Sequence, residues 1–189
     1  MKTKPCLYYL GLACFPISIL SLINIFYSYY FNYLDNLKSY IIVLFLSFFI
    51  GFILYKYGKK EKDFIGIYEQ LFLIILIYFF MSFLISIPFY FSDYNISFVD
   101  AYFEAISGFT ATGFTTFKFI SDIDYPLILW RSSSQWIGGF YFIIFLVLIF
   151  SHKQINFKML DLTFNLEKKI NFSSNLFNVS NRILLIYLS

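Results

Sequence analysis

Four long apolar stretches constrain the fold of this chain more than any other feature of its sequence. They are separated by short polar segments and run from Leu7 to Tyr30, Tyr40 to Tyr55, Ile67 to Phe91 and Pro126 to Phe150. A helix needs roughly 20 mostly apolar residues to cross the hydrocarbon core of a bilayer. We therefore predict an all-α integral membrane protein in which each stretch forms a transmembrane helix.

The composition agrees with a chain that is surrounded by lipid. Apolar residues make up 60% of the 189 residues and charged residues 13%, whereas a soluble domain is roughly 45–50% apolar and about 25% charged. The single histidine, His152, has no serine, cysteine or aspartate arrangement around it that is typical of a catalytic site. We expect no enzyme, no cofactor and no nucleic-acid partner.

The lysines predict the orientation of the helices. Ten of the twelve lysines lie before the first stretch, between the second and the third, or after the fourth: Lys2, Lys4, Lys56, Lys59, Lys60, Lys62, Lys153, Lys158, Lys168 and Lys169. The other two, Lys38 and Lys118, lie one in each of the remaining connecting segments. Because cytoplasmic loops carry an excess of Lys and Arg, these three regions are expected on the cytoplasmic side. The N-terminus is then cytoplasmic, and the segment from Ser92 to Tyr125 is external.

That external segment contains a helical pattern too short to span a membrane. Apolar residues recur at helical spacing within residues 97–108. Ser97 or Asp100 is expected to cap the start of this helix, and Gly108 to end it. About a dozen residues suit a re-entrant helix rather than a crossing.

An uncharged loop rich in threonine follows the short helix, at residues 109–116. Irregular backbone at membrane depth is tolerated only where protein buries it or where it lines a water-filled cavity. Backbone carbonyls in such a loop can replace the hydration shell of a cation, and Gly113 permits a positive φ that turns neighbouring carbonyls toward one axis. The pattern favours a pore loop, with a hairpin that only packs against its neighbours as the alternative.

Arg131 is a charged residue near the external start of the fourth stretch. Charges within membrane spans are rare and often functional. We expect Arg131 to pair with Glu104 or Asp100 and so to support the short helix. The alternative is that Arg131 extends toward the membrane interface and has no such role.

Two runs resemble the Trk/Ktr potassium-transport family, and in particular its TrkH-type pore-forming subunits. The run FVDAYFEAISGFTATGFT, at residues 98–115, resembles the first pore helix and filter of that family. The run LWRSSSQWIGG, at residues 129–139, resembles the helix that follows the filter. Their order and spacing also agree with the family, and the resemblance extends over roughly the whole chain.

The resemblance implies a K⁺ site made of backbone carbonyls. In that family four helix–loop–helix units surround one pore, and each contributes a filter with one key glycine, which Gly113 matches. Ala111 and Thr112 match the flanking carbonyl donors, and Thr110 and Phe114 lie next to them. Since the chain holds one such filter, the resemblance implies an N-terminal fragment of a potassium-uptake subunit.

The resemblance also implies a location and partners for the full-length protein. It implies a multi-pass protein of the bacterial inner membrane, embedded in lipid, that forms a homodimer and binds a cytoplasmic nucleotide-binding regulatory subunit. Two alternatives stay open. One is a sodium-permeable or sodium-coupled transporter of the same family, and the other is a membrane anchor or assembly component that does not transport ions.

The predicted organisation has four parts. They are two leading transmembrane helices with a Lys-rich loop at 1–66, a helix–re-entrant pore loop–helix unit at 67–150 with its pore helix at 97–108 and filter at 109–116, a cytoplasmic amphipathic segment at 151–181, and the start of another transmembrane helix at 182–189.

Overall fold

Six helices make up the computed structural model, which describes residues 3–59, 66–118, 123–150 and 172–188. In chain order they are α1 Thr3–Tyr30, α2 Leu37–Gly58, α3 Ile67–Tyr90, α4 Phe98–Phe109, α5 Tyr125–Phe150 and α6 Phe172–Leu188. Turns and irregular segments connect the helices, and no strand occurs among the described residues. The prediction of an all-helical fold is therefore confirmed over this part of the chain.

Three helices are long and apolar enough to cross a membrane, counted over the described residues. They are α1, α2 and the part of α3 from Tyr68 to Tyr90. The fourth predicted span does form a helix, α5, but its first half carries Arg131, three consecutive serines and Gln135. That α5 crosses the bilayer stays a prediction.

Helix α2 shows most directly that apolar side chains face outward. Large apolar residues recur on its exposed side, among them Phe45, Phe49, Phe52 and Ile53. A row of exposed Phe and Ile side chains is unfavourable in water and suits the hydrocarbon of a bilayer. The outer face of α2 is therefore suited to contact with lipid or with other membrane helices.

Helices α1 and α2 form a closely packed antiparallel pair because glycines lie where they meet. A Cβ built on Gly11 would lie 2.6 Å from the backbone nitrogen of Tyr55, and one built on Gly51 would lie 2.8 Å from the Cβ of Cys14. Small residues at a membrane helix interface let the two backbones approach each other closely. The absence of side chains at these positions thus fixes the distance between α1 and α2.

Helix α5 is joined to α1 by two hydrogen bonds from side chains to main-chain carbonyls. Asn24 Nδ2 donates to the carbonyl of Pro126 at 3.1 Å. The hydroxyl of Tyr141 donates to the carbonyl of Ala13 at 2.9 Å, and this bond is buried. The leading helix pair therefore supports α5 both at its start and beyond its middle.

Trp130 connects α5 to α2 and α3 in the core. Its indole Nε1 donates to the carbonyl of Ile85 at 3.0 Å, and its ring lies 5.7 Å, between centroids, from that of Tyr40. Both aromatic side chains are buried. A buried indole needs such a partner for its N–H, so this contact fixes the rotation of α5 relative to α3.

The last helix begins earlier than the sequence indicated. Residues 182–188 of the predicted helix at 182–189 belong to a longer helix, because α6 begins at Phe172, and that this helix starts a further membrane span stays a prediction. Val179 and Ile183, one helical turn apart, are both buried, so amphipathic spacing rather than a continuous apolar run defines this helix. Of the predicted cytoplasmic segment 151–181, residues 151–171 lie outside the described residues. Residues 172–181 belong to α6.

Candidate functional site

The short helix α4 is started by a reciprocal cap. The backbone N–H of Asp100 donates to Ser97 Oγ at 3.1 Å, and Ser97 Oγ donates to the carboxylate of Asp100 at 2.7 Å. Of the two residues predicted as caps, Ser97 is therefore the N-cap. The Asp100 carboxylate also lies in the first turn, where the helix dipole favours a negative charge.

Helix α4 runs from one end of the bundle toward its middle. Its 12 residues extend about 18 Å at roughly 1.5 Å per residue, well short of a bilayer core of about 30 Å. The segments that precede α4 and α5 lie together, because the N–H of Asp124 donates to the hydroxyl of Tyr94 at 2.6 Å. The last residue of α4, Phe109, packs against Gly138 near the middle of α5.

Two glycines allow the end of α4 to lie against α5. A Cβ on Gly138 would lie only 1.8 Å from the carbonyl oxygen of Phe109, and one on Gly108 would lie 2.9 Å from Ser134 Oγ. The prediction that Gly108 ends the helix is wrong, since α4 continues through Phe109 to a cap at Thr110. Gly108 is buried, and its role is to permit contact with α5.

The chain reverses direction immediately after α4 through two residues with positive φ. Gly113 has a φ of +81°, which confirms that it uses the conformational freedom predicted for it. Ala111 has a φ of +57°, which is uncommon for a residue with a side chain and which the sequence did not indicate. The N–H of Thr112, between them, donates to the carbonyl of Ser107 at 3.1 Å. Left-handed residues at alternate positions give this turn its shape.

Glu104 is the centre of the hydrogen-bond network behind the loop. Its side chain is fully buried, at 0% exposure. Oε1 accepts from the hydroxyl of Thr115 at 2.7 Å, from the hydroxyl of Thr116 at 3.0 Å and from the N–H of Thr116. Oε2 pairs with Arg131 Nε at 3.1 Å. One carboxylate on α4 therefore connects the returning chain to α5.

Arg131 contacts the loop backbone as well as Glu104. Its Nη2 donates to the carbonyl of Phe114 at 2.8 Å and to that of Gly113 at 3.3 Å. The guanidinium is planar and carries five N–H donors, so one edge can bind a carboxylate while another binds carbonyl oxygens. Of the two predicted partners of Arg131, Glu104 is the one that pairs with it, whereas Asp100 bonds to Ser97.

Ser107 joins both sides of the turn from within α4. Its Oγ donates to the carbonyl of Phe114 at 2.6 Å, and the hydroxyl of Thr112 lies 3.2 Å from the same Oγ. Ser107 is buried. It therefore holds the middle of the loop, at Thr112, and its end, at Phe114, at a fixed separation.

The other side of the loop is open. Residues 110–113 are exposed, and Phe114 is 70% exposed. Within the described residues, the carbonyls of Thr110, Ala111 and Thr112 accept no hydrogen bond. The loop is thus held firmly from behind and presents main-chain oxygens without partners in the described part of the chain.

A separate polar contact lies at the start of α5. The hydroxyl of Tyr94 is 3.4 Å from the carboxylate of Asp124. Burial raises the pKa of the Asp124 carboxyl above its ordinary value of 3.8, and burial likewise raises the pKa of the Tyr94 hydroxyl. This contact fixes the segment before α4 to the segment before α5.

The structure brings most of the predicted site residues together. Thr110 to Phe114 form one exposed loop rather than part of a continuous helix, and their contact with K⁺ stays a prediction. The sequence analysis did not identify Ser107 as a residue that supports the loop, although its spacing of three from Glu104 places both on one face of α4. No sequence signal pointed to Thr115 and Thr116 as partners of Glu104.

Comparison with known proteins identifies transporters with similar sequences, although no family model matches the chain. An uncharacterized cation transporter of Methanocaldococcus jannaschii is 35% identical over 133 residues, which is 70% of this chain and 27% of that protein. The Trk system potassium uptake protein TrkH of Escherichia coli K12 is 31% identical over 106 residues, which is 56% of this chain and 22% of TrkH. TrkH of Salmonella typhimurium gives the same values.

These similarities support a relationship to Trk-type cation transporters. The chain spans about a quarter of the length of the curated relatives it matches. Together with the three helices of the described residues that are long and apolar enough to cross a bilayer, the similarities support a membrane protein related to cation transporters.

Proposed function

We propose that this chain contributes one ion-contacting strand to a Trk-type potassium-uptake pore in the bacterial inner membrane. The observation that carries the proposal is the loop at Thr110 to Phe114, whose backbone is held from one side by Ser107 and Arg131, with Glu104 fixing the side chain of Arg131. The opposite side of the loop is exposed and uncharged. This is the arrangement that a selectivity filter built from main-chain oxygens requires.

Potassium must lose part of its hydration shell to be selected. Carbonyl oxygens held in a fixed arrangement can replace the lost water. The carbonyls of Thr110, Ala111 and Thr112 have no hydrogen-bond donor among the described residues, so their lone pairs are available. The positive φ values at Ala111 and Gly113 support a backbone whose successive carbonyls turn toward a common axis.

The direction of α4 adds an electrostatic contribution. Its C-terminal end, at Phe109, lies against the middle of α5, and a helix carries roughly half a negative charge at that end. At the middle of a bilayer, where the dielectric constant is low, this partial charge favours a cation. A re-entrant helix that enters from the external side delivers the charge to that depth.

The proposed orientation places the N-terminus in the cytoplasm. Lys4 lies at the start of α1, and Lys56 and Lys59 lie at the end of α2, which fits the excess of positive residues on cytoplasmic loops. The start of α4 is then external. Asp93 and Asp100 lie there, and acidic residues at a pore entrance raise the local concentration of cations.

One strand does not close a pore, so the proposal extends to a larger protein. We propose that three further strands of this type complete the filter, as the resemblance to the Trk/Ktr family implies. The exposed face of the loop, with Phe114 at its edge, leaves room for them. A homodimer and a cytoplasmic nucleotide-binding regulatory subunit belong to the same proposal.

The test is Gly113→Ala in the full-length protein, expressed in bacteria that lack their own potassium-uptake systems. A Cβ at Gly113 would meet no atom within 4 Å, but the residue has a φ of +81°. The substitution therefore strains the backbone, by about 1–2 kcal/mol, without a packing clash. We expect normal abundance in the membrane and a lower ratio of K⁺ to Na⁺ uptake.

Gly66→Ala is the matched control, because its added Cβ would approach only the carboxylate of Glu69, at the end of a flexible side chain. It should leave uptake unchanged. Uptake by Gly113→Ala that equals the parent's would reject the filter assignment and favour a loop that only packs. A parent protein that takes up Na⁺ as well as K⁺ would favour the sodium-permeable alternative.

A further inference from the structure

We infer that Arg131 is a positioning residue that removes the Phe114 carbonyl from the ion path, so that the oxygens available to a cation are those of Thr110, Ala111 and Thr112. This inference rests on the proposed function and narrows the set of ion-contacting residues that the sequence indicated. It assigns the outer end of the loop to structural support and the inner part to ion contact.

The Phe114 carbonyl is fully occupied by protein donors. It accepts from Ser107 Oγ at 2.6 Å and from Arg131 Nη2 at 2.8 Å. A carbonyl oxygen has two lone pairs, so neither remains for a cation. The guanidinium charge beside this oxygen also repels any cation that approaches it.

The Gly113 carbonyl is only partly occupied by protein donors. Its single contact with Arg131 Nη2 is longer, at 3.3 Å, and one lone pair remains. The carbonyls of Thr110, Ala111 and Thr112, one to three residues earlier, accept nothing from the described residues. The availability of main-chain oxygen therefore increases from Phe114 back toward Thr110.

Arg131 can hold the backbone in this way because Glu104 fixes its side chain. The Nε of Arg131 lies 3.1 Å from Glu104 Oε2, and the two side chains are 16% and 0% exposed. The other oxygen of Glu104 is bound by Thr115 and Thr116. A lysine at position 131 could neutralise Glu104 but could not contact the carboxylate and both carbonyls with a fixed planar group.

A simpler role for Arg131 would be to neutralise the buried charge of Glu104. Removing one partner of a buried ion pair is strongly destabilising, whereas replacing both by uncharged groups of similar volume is often tolerated. The double variant E104Q/R131M distinguishes the two roles. The glutamine introduced on α4 still accepts from the threonine hydroxyls, and the methionine introduced on α5 covers the space of the arginine stem. The guanidinium that donates to the Phe114 carbonyl is lost.

The experiment compares K⁺ uptake by the parent, E104Q/R131M and R131K in the full-length protein, with abundance and thermal stability in detergent measured in parallel. If Arg131 positions the loop, the double variant retains parental abundance and stability but shows a KM for K⁺ raised about tenfold and a lower K⁺/Na⁺ uptake ratio. R131K should also assemble and show a smaller change in the same direction.

A double variant with parental KM and parental K⁺/Na⁺ ratio would overturn the inference and leave Arg131 with charge neutralisation alone. If the double variant does not assemble, R131K decides, since parental KM and ratio in that variant would overturn the inference equally. A parent protein with no K⁺ uptake above the background of the host would instead reject the proposed function, so the two failures are distinguishable.

Discussion

The α1–α2 pair and the unit formed by α4, its loop and α5 are both closely packed, but different forces hold them. Between α1 and α2, contact depends on missing side chains at Gly11 and Gly51. Between α4 and α5, a glycine contact at Gly138 is joined by the buried Glu104–Arg131 pair. The first interface joins two regular helices, and the second also holds an irregular strand in place.

This difference explains where the charged residues lie. Burying an ion pair in a membrane protein is costly unless geometry and extra hydrogen bonds compensate for the lost hydration. Glu104 and Arg131 gain that compensation from the threonines and carbonyls of the loop. Plain helix packing has no unpaired backbone groups to satisfy, so the contact between α1 and α2 has no need of such a pair.

Gly138→Ala should produce the largest effect. It should disrupt the contact between α4 and α5 and leave the contact between α1 and α2 intact. Its Cβ would lie 1.8 Å from the Phe109 carbonyl oxygen, a backbone atom that cannot move without displacing α4. We expect a loss of about 3 kcal/mol or more of stability, together with loss of K⁺ uptake. Thermal unfolding in detergent and uptake in cells measure the two effects.

Gly139→Ala is the control for that variant. A Cβ on Gly139 would approach only the side chain of Tyr187, with the hydroxyl nearest at 2.7 Å. A shift of this hydroxyl costs at most its hydrogen bond to the Trp136 carbonyl, whereas Gly138→Ala requires a backbone to move. A loss of no more than about 1.5 kcal/mol is expected, well below that of Gly138→Ala. Equal losses in the two variants would mean that α5 tolerates no change at either glycine, and would argue against a specific α4–α5 contact.

Gly11→Ala should have an intermediate effect. It tests the α1–α2 interface, and so shows whether that interface can be weakened without changing the loop. Its Cβ would lie 2.6 Å from the Tyr55 nitrogen and 2.7 Å from the Gly51 oxygen, both backbone atoms. Separating α1 from α2 should cost about 1–3 kcal/mol. The K⁺/Na⁺ uptake ratio of the protein that still assembles should equal the parent's, since the loop is not involved.

Gly66→Ala again provides the control, now for stability rather than for uptake. Because Gly66 is the N-cap of α3, its own loss should stay below about 1 kcal/mol. A changed K⁺/Na⁺ ratio in Gly11→Ala would show that the leading pair influences the loop. The two regions would then form one functional unit, and the division drawn between them would be wrong.

The sequence predicts the helices well because their signals are local. Long apolar stretches and the Ser97 cap depend on residues close in the chain, and so does the turn at Gly113, where only glycine adopts a positive φ without strain. The resemblance to a known family added the interpretation of the loop as a filter. Gly108 misled the prediction, because a glycine that permits packing is indistinguishable in sequence from one that ends a helix.

The network behind the loop is less predictable because it depends on contacts between distant residues. Nothing near Thr116 indicates that its N–H donates to Glu104, 12 positions earlier. The positive φ of Ala111 is imposed by the turn and not by the residue's own preference. The choice of Glu104 over Asp100 as partner of Arg131 likewise follows from which face of α4 packs against α5.

The smallest expected effect concerns the bond that joins the two regions. The hydroxyl of Tyr141 on α5 donates to the carbonyl of Ala13 on α1 at 2.9 Å. In Tyr141→Phe this bond is lost, so the cost should be about 0.5–1.5 kcal/mol of stability. The K⁺/Na⁺ ratio should not change, because the ring that packs on Phe109 at the end of α4 is retained.

Tyr29→Phe, at a residue that is 73% exposed, is the matched control and should change neither stability nor uptake. Thermal unfolding in detergent and the K⁺/Na⁺ uptake ratio are measured for both variants. A lower ratio in Tyr141→Phe alone would show that α1 helps to position the loop through α5. The leading pair would then be part of the loop's support rather than a separate membrane anchor, because a bond remote from Glu104 and Arg131 would be setting the geometry of the carbonyls.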